Sequence, residues 1–202
     1  MRLAGRFTGL LLAGLVLAHP AEAHIVSSRL GDFYGGMLHP LTALPDLILW
    51  LALGLLAAFQ RSRAARWLVV LFPLSLVAGL LLGQALGVAP ELGRVDAGLM
   101  IVLGALVAGA VQLAPATFLV GGVALGLYRG LCNASGITPE ADVVLFAGGT
   151  AVVGYAAMTV LMAGTVAFRR AGAGWQDIAL RAGGSWIAAI GLMVGGLAFI
   201  GS

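Results

Sequence analysis

Six long apolar stretches with almost no charge inside them follow a short apolar leader. This arrangement constrains the fold more than any motif does. Water gives a chain of 202 residues no means of burying so much continuous apolar sequence. A bilayer does, because it accepts helices of about 20 apolar residues and little else. Only 9% of the residues are charged and 61% are hydrophobic, whereas ordinary soluble domains carry roughly 25% charged residues. The expected fold class is all-α: a polytopic membrane helix bundle of six transmembrane helices after a cleaved signal peptide. The spans are expected near 42–59, 67–87, 96–114, 117–132, 143–168 and 182–201.

The leader is read from its pattern. Arg2 and Arg6 precede an apolar core from Thr8 to Ala18, and Ala21-Glu22-Ala23 has the small-x-small form of a cleavage site. Residues 1–23 are therefore expected to be a signal peptide, with an uncleaved first helix as the alternative. Residues 24–202 would form one six-helix membrane domain, with 24–41 as an outer N-terminal segment that lies on the membrane surface or caps the bundle. Cleavage would leave His24 with a free α-amine beside its imidazole. Those two nitrogen donors can chelate a borderline divalent ion. The plainer reading is a residue that the cleavage site tolerates.

Arginine placement orients the chain. Arg61, Arg63 and Arg66 fall in one connection and Arg169, Arg170 and Arg181 in another. An outside mature N-terminus puts all six inside, leaving Arg29 and Arg94 outside, which is the positive-inside pattern. The net charge of +3, supplied by Arg without Lys, is explained by this topology and does not point to nucleic acid. The single Cys132 excludes an internal disulfide and a cysteine-based metal cluster.

Glycine recurs every fourth residue at Gly79, Gly83 and Gly87, and again at Gly122, Gly126 and Gly130. Such stripes let helix backbones approach closely. Gly148-Gly149 and Gly195-Gly196 are candidate deformable points.

Polar groups at membrane depth are costly and point to function by default. Here His39, Asp46, Asp96 and Arg129 cluster toward the outer side. His39 and Asp46, seven residues apart, share a face if the stretch is helical, although Pro40 and Pro45 interrupt it. One reading is an outer vestibule for a small cation or polar solute. The other is a structural ion pair of Arg129 with Asp46 or Asp96, beside a snorkelling His39. A buried arginine argues against a neighbouring cation, since like charges repel strongly at low dielectric.

With His24 after the leader and His39-Pro40-Leu41-Thr42-Ala43-Leu44-Pro45-Asp46 entering the first span, the chain resembles the HupE/UreJ family of bacterial membrane proteins. Members carry His-Pro-x-x-Gly-x-Asp-His at this place and a later His-Gly in a glycine-rich helix. The later motif aligns with Gly126-Leu127-Tyr128-Arg129-Gly130. Here Ala43 stands at the glycine position, Pro45 and Asp46 at the Asp-His positions, and Arg129 at the later histidine. His39, Pro40 and Asp46 are what the chain keeps of the motif. The resemblance implies a secondary permease for nickel, and sometimes cobalt, in the bacterial inner (plasma) membrane, with the mature N-terminus on the periplasmic side. Imidazole and carboxylate groups suit such ions.

Two functions follow. In the first, His24 and His39 capture a divalent metal, and Asp46 and Asp96 pass it inward. No Gly-x-x-x-x-Gly-Lys-Ser/Thr sequence occurs, so uptake would be driven by a gradient or a partner. The cargo would be Ni2+ or Co2+, and no resident cofactor is expected. In the second, the chain is a structural or assembly subunit of a larger membrane complex that has lost the metal ligands. Lipid is the expected partner in both, with a membrane complex or a homo-oligomer left open. An enzyme is not expected: neither a Gly-x-Ser-x-Gly elbow nor a His-Glu-x-x-His zinc motif is present.

Overall fold

The computed structural model describes residues 20–60, 62–90, 93–170 and 174–200, excluding the side chains of residues 20–30, 62 and 198–200. Most of the expected signal peptide, residues 1–19, lies outside the described residues, as does the side chain of His24. Every regular element among the described residues is helical. The elements are α1 (Pro20–Thr42), α2 (Leu44–Ala57), α3 (Ser62–Leu86), α4 (Gly93–Ala108), α5 (Pro115–Asn133), a 3-10 turn (Ala134–Gly136), α6 (Val143–Arg170) and α7 (Trp175–Ile200). The backbone of α1 runs without interruption across the Ala23–His24 junction.

Among the described residues four stretches are long and apolar enough to cross a membrane: Arg63–Leu86, Pro115–Gly136, Val143–Arg170 and Trp175–Leu197. A fifth exists if Gly31–Thr42 and Leu44–Ala57, bent by 72°, count as one broken span. Six had been expected, and the shortfall lies in the third. The helix begun near Asp96 stops at Ala108, giving 16 residues, about 24 Å at 1.5 Å per residue. Ala110 turns left-handed at φ 50°, and residues 111–114 run on without helix to Pro115. Apolar composition hid this stop. The exposed backbone is satisfied by one side chain: Gln60 Nε2 donates to Val111 O at 2.8 Å, and Leu113 N–H donates to Gln60 Oε1 at 2.9 Å. Irregular backbone at membrane depth persists only where protein supplies such partners.

The bend between α1 and α2 has a chemical cause. Pro45 lacks the N–H that would continue α1 and would crowd the Leu41 carbonyl. Ala43 becomes extended (φ −80°, ψ 107°) and α2 restarts with proline in its first turn. The preceding half of α1 packs across the start of α6. Pro40 likewise frees the Gly36 carbonyl one turn earlier. The Thr150 hydroxyl donates to that carbonyl at 3.1 Å. At this crossing a Cβ on Gly36 would collide with the Phe146 carbonyl, and one on Gly149 with that of Phe33.

α2 sits centrally, against α1, α4, α6 and α7. α3 packs along α5, and α4 along α7. The glycine stripes serve the α3–α5 seam. A Cβ on Gly79 would meet the Leu127 carbonyl, and one on Gly130 the Leu76 carbonyl. Gly87 plays a different part, closing α3 with a left-handed φ of +63°. Gly148-Gly149 and the Gly195-Gly196 pair lie inside the uninterrupted helices α6 and α7. Beneath Asp46 the core is apolar, with Trp50 edge-on to Phe72 at 5.6 Å and Leu49, Leu53, Leu56, Met100 and Met158 around them.

Candidate functional site

Asp46 enters the bundle in the first turn of α2, where a carboxylate suits the positive end of the helix dipole. Asp96 occupies the same place on α4. Arg129 comes from the last turns of α5. The three meet in one node. Arg129 Nε donates to Asp46 Oδ1 at 2.8 Å and an outer guanidinium nitrogen donates to Oδ2 at 3.1 Å, while the other donates to Asp96 Oδ1 at 2.8 Å. The ion-pair reading named Asp46 or Asp96 as the partner of Arg129; it holds both, forking onto Asp46 and reaching Asp96 with its remaining arm.

Burial makes the node expensive to break. Asp46 is 0% exposed, Arg129 5% and Asp96 6%. An isolated charge at such depth costs several kcal/mol, and only close pairing offsets it. The Tyr128 hydroxyl adds a hydrogen bond to Asp96 Oδ1 at 3.0 Å. Two carboxylates share one guanidinium, so these three ionised side chains carry a formal charge of −1 between them.

His39 stands at the edge of the node, half-buried. It lies on the far side of the bend from Asp46, yet is close enough for the charges of Asp46 and Arg129 to act on it. Its ring leans on Phe146 at 6.1 Å and covers Gly136, where an added Cβ would come within 2.7 Å of the imidazole. Helix α5 must therefore end in the 3-10 turn carrying glycine for the imidazole to occupy this place. His24 is fifteen residues upstream along α1, about 22 Å of continuous helix, so the backbone does not bring it to His39. Among the described residues no group of three or more His, Cys, Asp and Glu side chains is placed to hold a metal ion.

Three node residues had not been foreseen. Tyr128 adjoins Arg129. Asn133 follows Arg129 by four residues and lies beside the Asp46 carboxylate. Trp50 follows Asp46 by four. The i, i+4 spacing places Asn133 and Trp50 on the faces of their ionic neighbours, and that spacing was the available signal for those two. The indole N–H of Trp50 and the amide nitrogen of Asn133 are both buried and complete no well-formed hydrogen bond. A buried donor without a partner, as at the Trp50 indole, costs about 1–3 kcal/mol and is a local inconsistency of the kind functional sites carry.

At the opposite end, Arg169 Nε pairs with Asp177 at 2.8 Å, and another of its nitrogens donates to Ala58 O at 2.8 Å. Arg181 donates to the Ala108 carbonyl at 2.8 Å. These contacts tie the ends of α2, α4, α6 and α7 together.

A family model described as HupE / UreJ protein matches residues 10–194, most of the chain. No curated protein and no solved structure matches significantly.

Proposed function

Because the chain belongs to the HupE / UreJ family, we propose that it is a secondary permease for a divalent transition metal, nickel or cobalt. It would work in a bacterial plasma membrane with six crossings, α4 being the short one. The observation that carries this reading is Asp46: a carboxylate with no exposed surface, set at the break of a bent span, with an imidazole within electrostatic reach. The family's His-Pro motif falls at this break. Nitrogen and oxygen donors of these types suit nickel and cobalt. Metal arriving from the periplasmic side would meet His24 and His39 first, with Asp46 and Asp96 as the inward carboxylates.

Arg129 sets the terms of transport. Both Asp46 oxygens are engaged by its guanidinium, so an ion can take Asp46 only as the arginine lets go. The ion and Arg129 compete for the same carboxylates, and Asp96 offers the displaced guanidinium a second partner. The residual −1 of the node favours an arriving cation, whereas the guanidinium opposes it.

The test is metal accumulation in cells expressing the chain. His39→Ala, at equal expression, is expected to abolish uptake of radioactive nickel. Undiminished uptake by that variant rejects the mechanism. A second reading, a structural subunit that no longer transports, is favoured by the engagement of both aspartates and by the lack of a three-ligand group among the described residues. Nickel entry into proteoliposomes holding the purified chain alone would exclude it; co-purification with a larger complex, without uptake, would support it.

A further inference from the structure

The arginine-rich end of the bundle holds a cleft whose lining shares no residue with the Asp46–Asp96–Arg129 node. It lies between the first turns of α3 and the last turns of α6, with a volume of about 370 Å³. Arg66 and Arg170 line its mouth. Val69, Met162, Ala163 and Val166 line its walls, and Thr159 its deep end. Both arginines are exposed, and among the described residues the lining of the cleft includes no acidic side chain. A second depression adjoins it on the outer side of α3, lined by Arg63, Arg66, Trp67 and Val70. Arg66 is common to both. Trp67, 56% exposed, is the kind of side chain that settles at headgroup level.

The dimensions fit one leaflet. From Arg170 back to Thr159 is eleven residues of α6, about 16 Å of helix. Half of a hydrocarbon core of about 30 Å is about 15 Å. A ligand filling this cleft must therefore be anionic at the membrane surface and apolar for the depth of a leaflet. The larger groove between α4 and α5, about 480 Å³, has walls such as Leu99, Val102 and Leu106 and no arginine in its lining. It has nothing with which to select a headgroup.

We propose that the α3–α6 cleft is a binding site for an anionic phospholipid, its phosphate held by Arg66 and Arg170 and one acyl chain lying along Val69, Met162, Ala163 and Val166. Basic pockets between membrane helices recognise acidic headgroups through this combination of charge and groove. The site is remote from Asp46 and Arg129, so it does not depend on metal transport.

The full chain, purified in mild detergent and offered an equal mixture of phosphatidylglycerol and phosphatidylcholine, is read by native mass spectrometry. Wild-type protein is expected to retain phosphatidylglycerol over phosphatidylcholine by on the order of tenfold. The Arg66→Gln/Arg170→Gln double variant should lose that preference, while Arg94→Gln, outside the cleft, should keep it. Equal retention of the two lipids by wild-type protein overturns the proposal, whether or not the double variant folds. So does a preference that survives in the double variant. Displacement of the lipid by millimolar inorganic phosphate would assign the arginines to a soluble anion instead. Lipid-free dimers in place of lipid-bound monomers would give the cleft to a second copy.

Discussion

Arg129 and Arg169 each donate to an aspartate at 2.8 Å, yet one is sealed among three helices and the other stands at the open end of the bundle. The side chains of Arg129 and Asp46 are 6% and 0% exposed; those of Arg169 and Asp177 are 35% and 49%. Arg169 also reaches a backbone carbonyl and lies over the Phe59 ring at 4.7 Å. The open end therefore spreads its binding over several small contacts that water can replace. The sealed end concentrates it in three buried charges that water does not reach. A node of that second kind is poorly suited to simple stapling, because an apolar replacement of similar volume is often as stable. It suits an exchange of partners, which the permease reading requires.

The largest effect expected from this contrast is that of Arg129→Leu. Asp46 and Asp96 would stay buried without their cation, and removing one partner of a buried ion pair costs about 3–5 kcal/mol. Thermal unfolding in detergent should show a large fall in Tm. Neutralising the whole node, with Asp46→Asn, Asp96→Asn and Arg129→Met together, should recover most of it, because no charge is then stranded. A single variant as stable as wild type would mean that the node is hydrated and not sealed.

An intermediate effect belongs to Gln60, which binds the segment after α4 to the end of α2. Gln60→Leu removes the acceptor for Leu113 N–H and the donor to Val111 O. Leaving those backbone groups unsatisfied should cost about 2 kcal/mol. Hydrogen exchange is the direct measurement: the Leu113 amide should exchange faster in the variant while amides around Leu76 and Met158 do not change. Uniform acceleration would show that this loop and the core open together.

The sequence carried the helical class because apolar length alone demands it, and the break before α2 because Pro45 cannot continue a helix. The glycine stripes announced a close seam, which proved to be α3 against α5. The end of α4 was also written in the chain, as Gly109, Ala110 and Pro115, but uniform apolarity from Ala97 to Val111 masked it. The node was legible as a set of residue types and not as an arrangement. Asp46, Asp96 and Arg129 come from three separate helices, α2, α4 and α5, and no one-dimensional period says which faces of three such helices meet. Thr150 was invisible for a similar reason: its hydroxyl matters only because Pro40, on another helix, has freed the Gly36 carbonyl.

The smallest effect is expected at Asp177, and it sharpens the contrast most. Asp177→Ala removes the carboxylate from Arg169 but leaves Ala58 O and the Phe59 ring in place. Exposed ion pairs contribute about 0–1 kcal/mol, so the loss should stay below about 1 kcal/mol. Salt separates the two ends further. At about 1 M ionic strength the screening length is about 3 Å, and the difference between Asp177→Ala and wild type should vanish. The Arg129→Leu penalty should persist, because ions do not enter a node whose central carboxylate has no exposed surface. Equal salt sensitivity in the two variants would place solvent at Asp46. The carboxylate would then be open to a cation from outside without any release by Arg129, and the competition on which the permease reading turns would be lost.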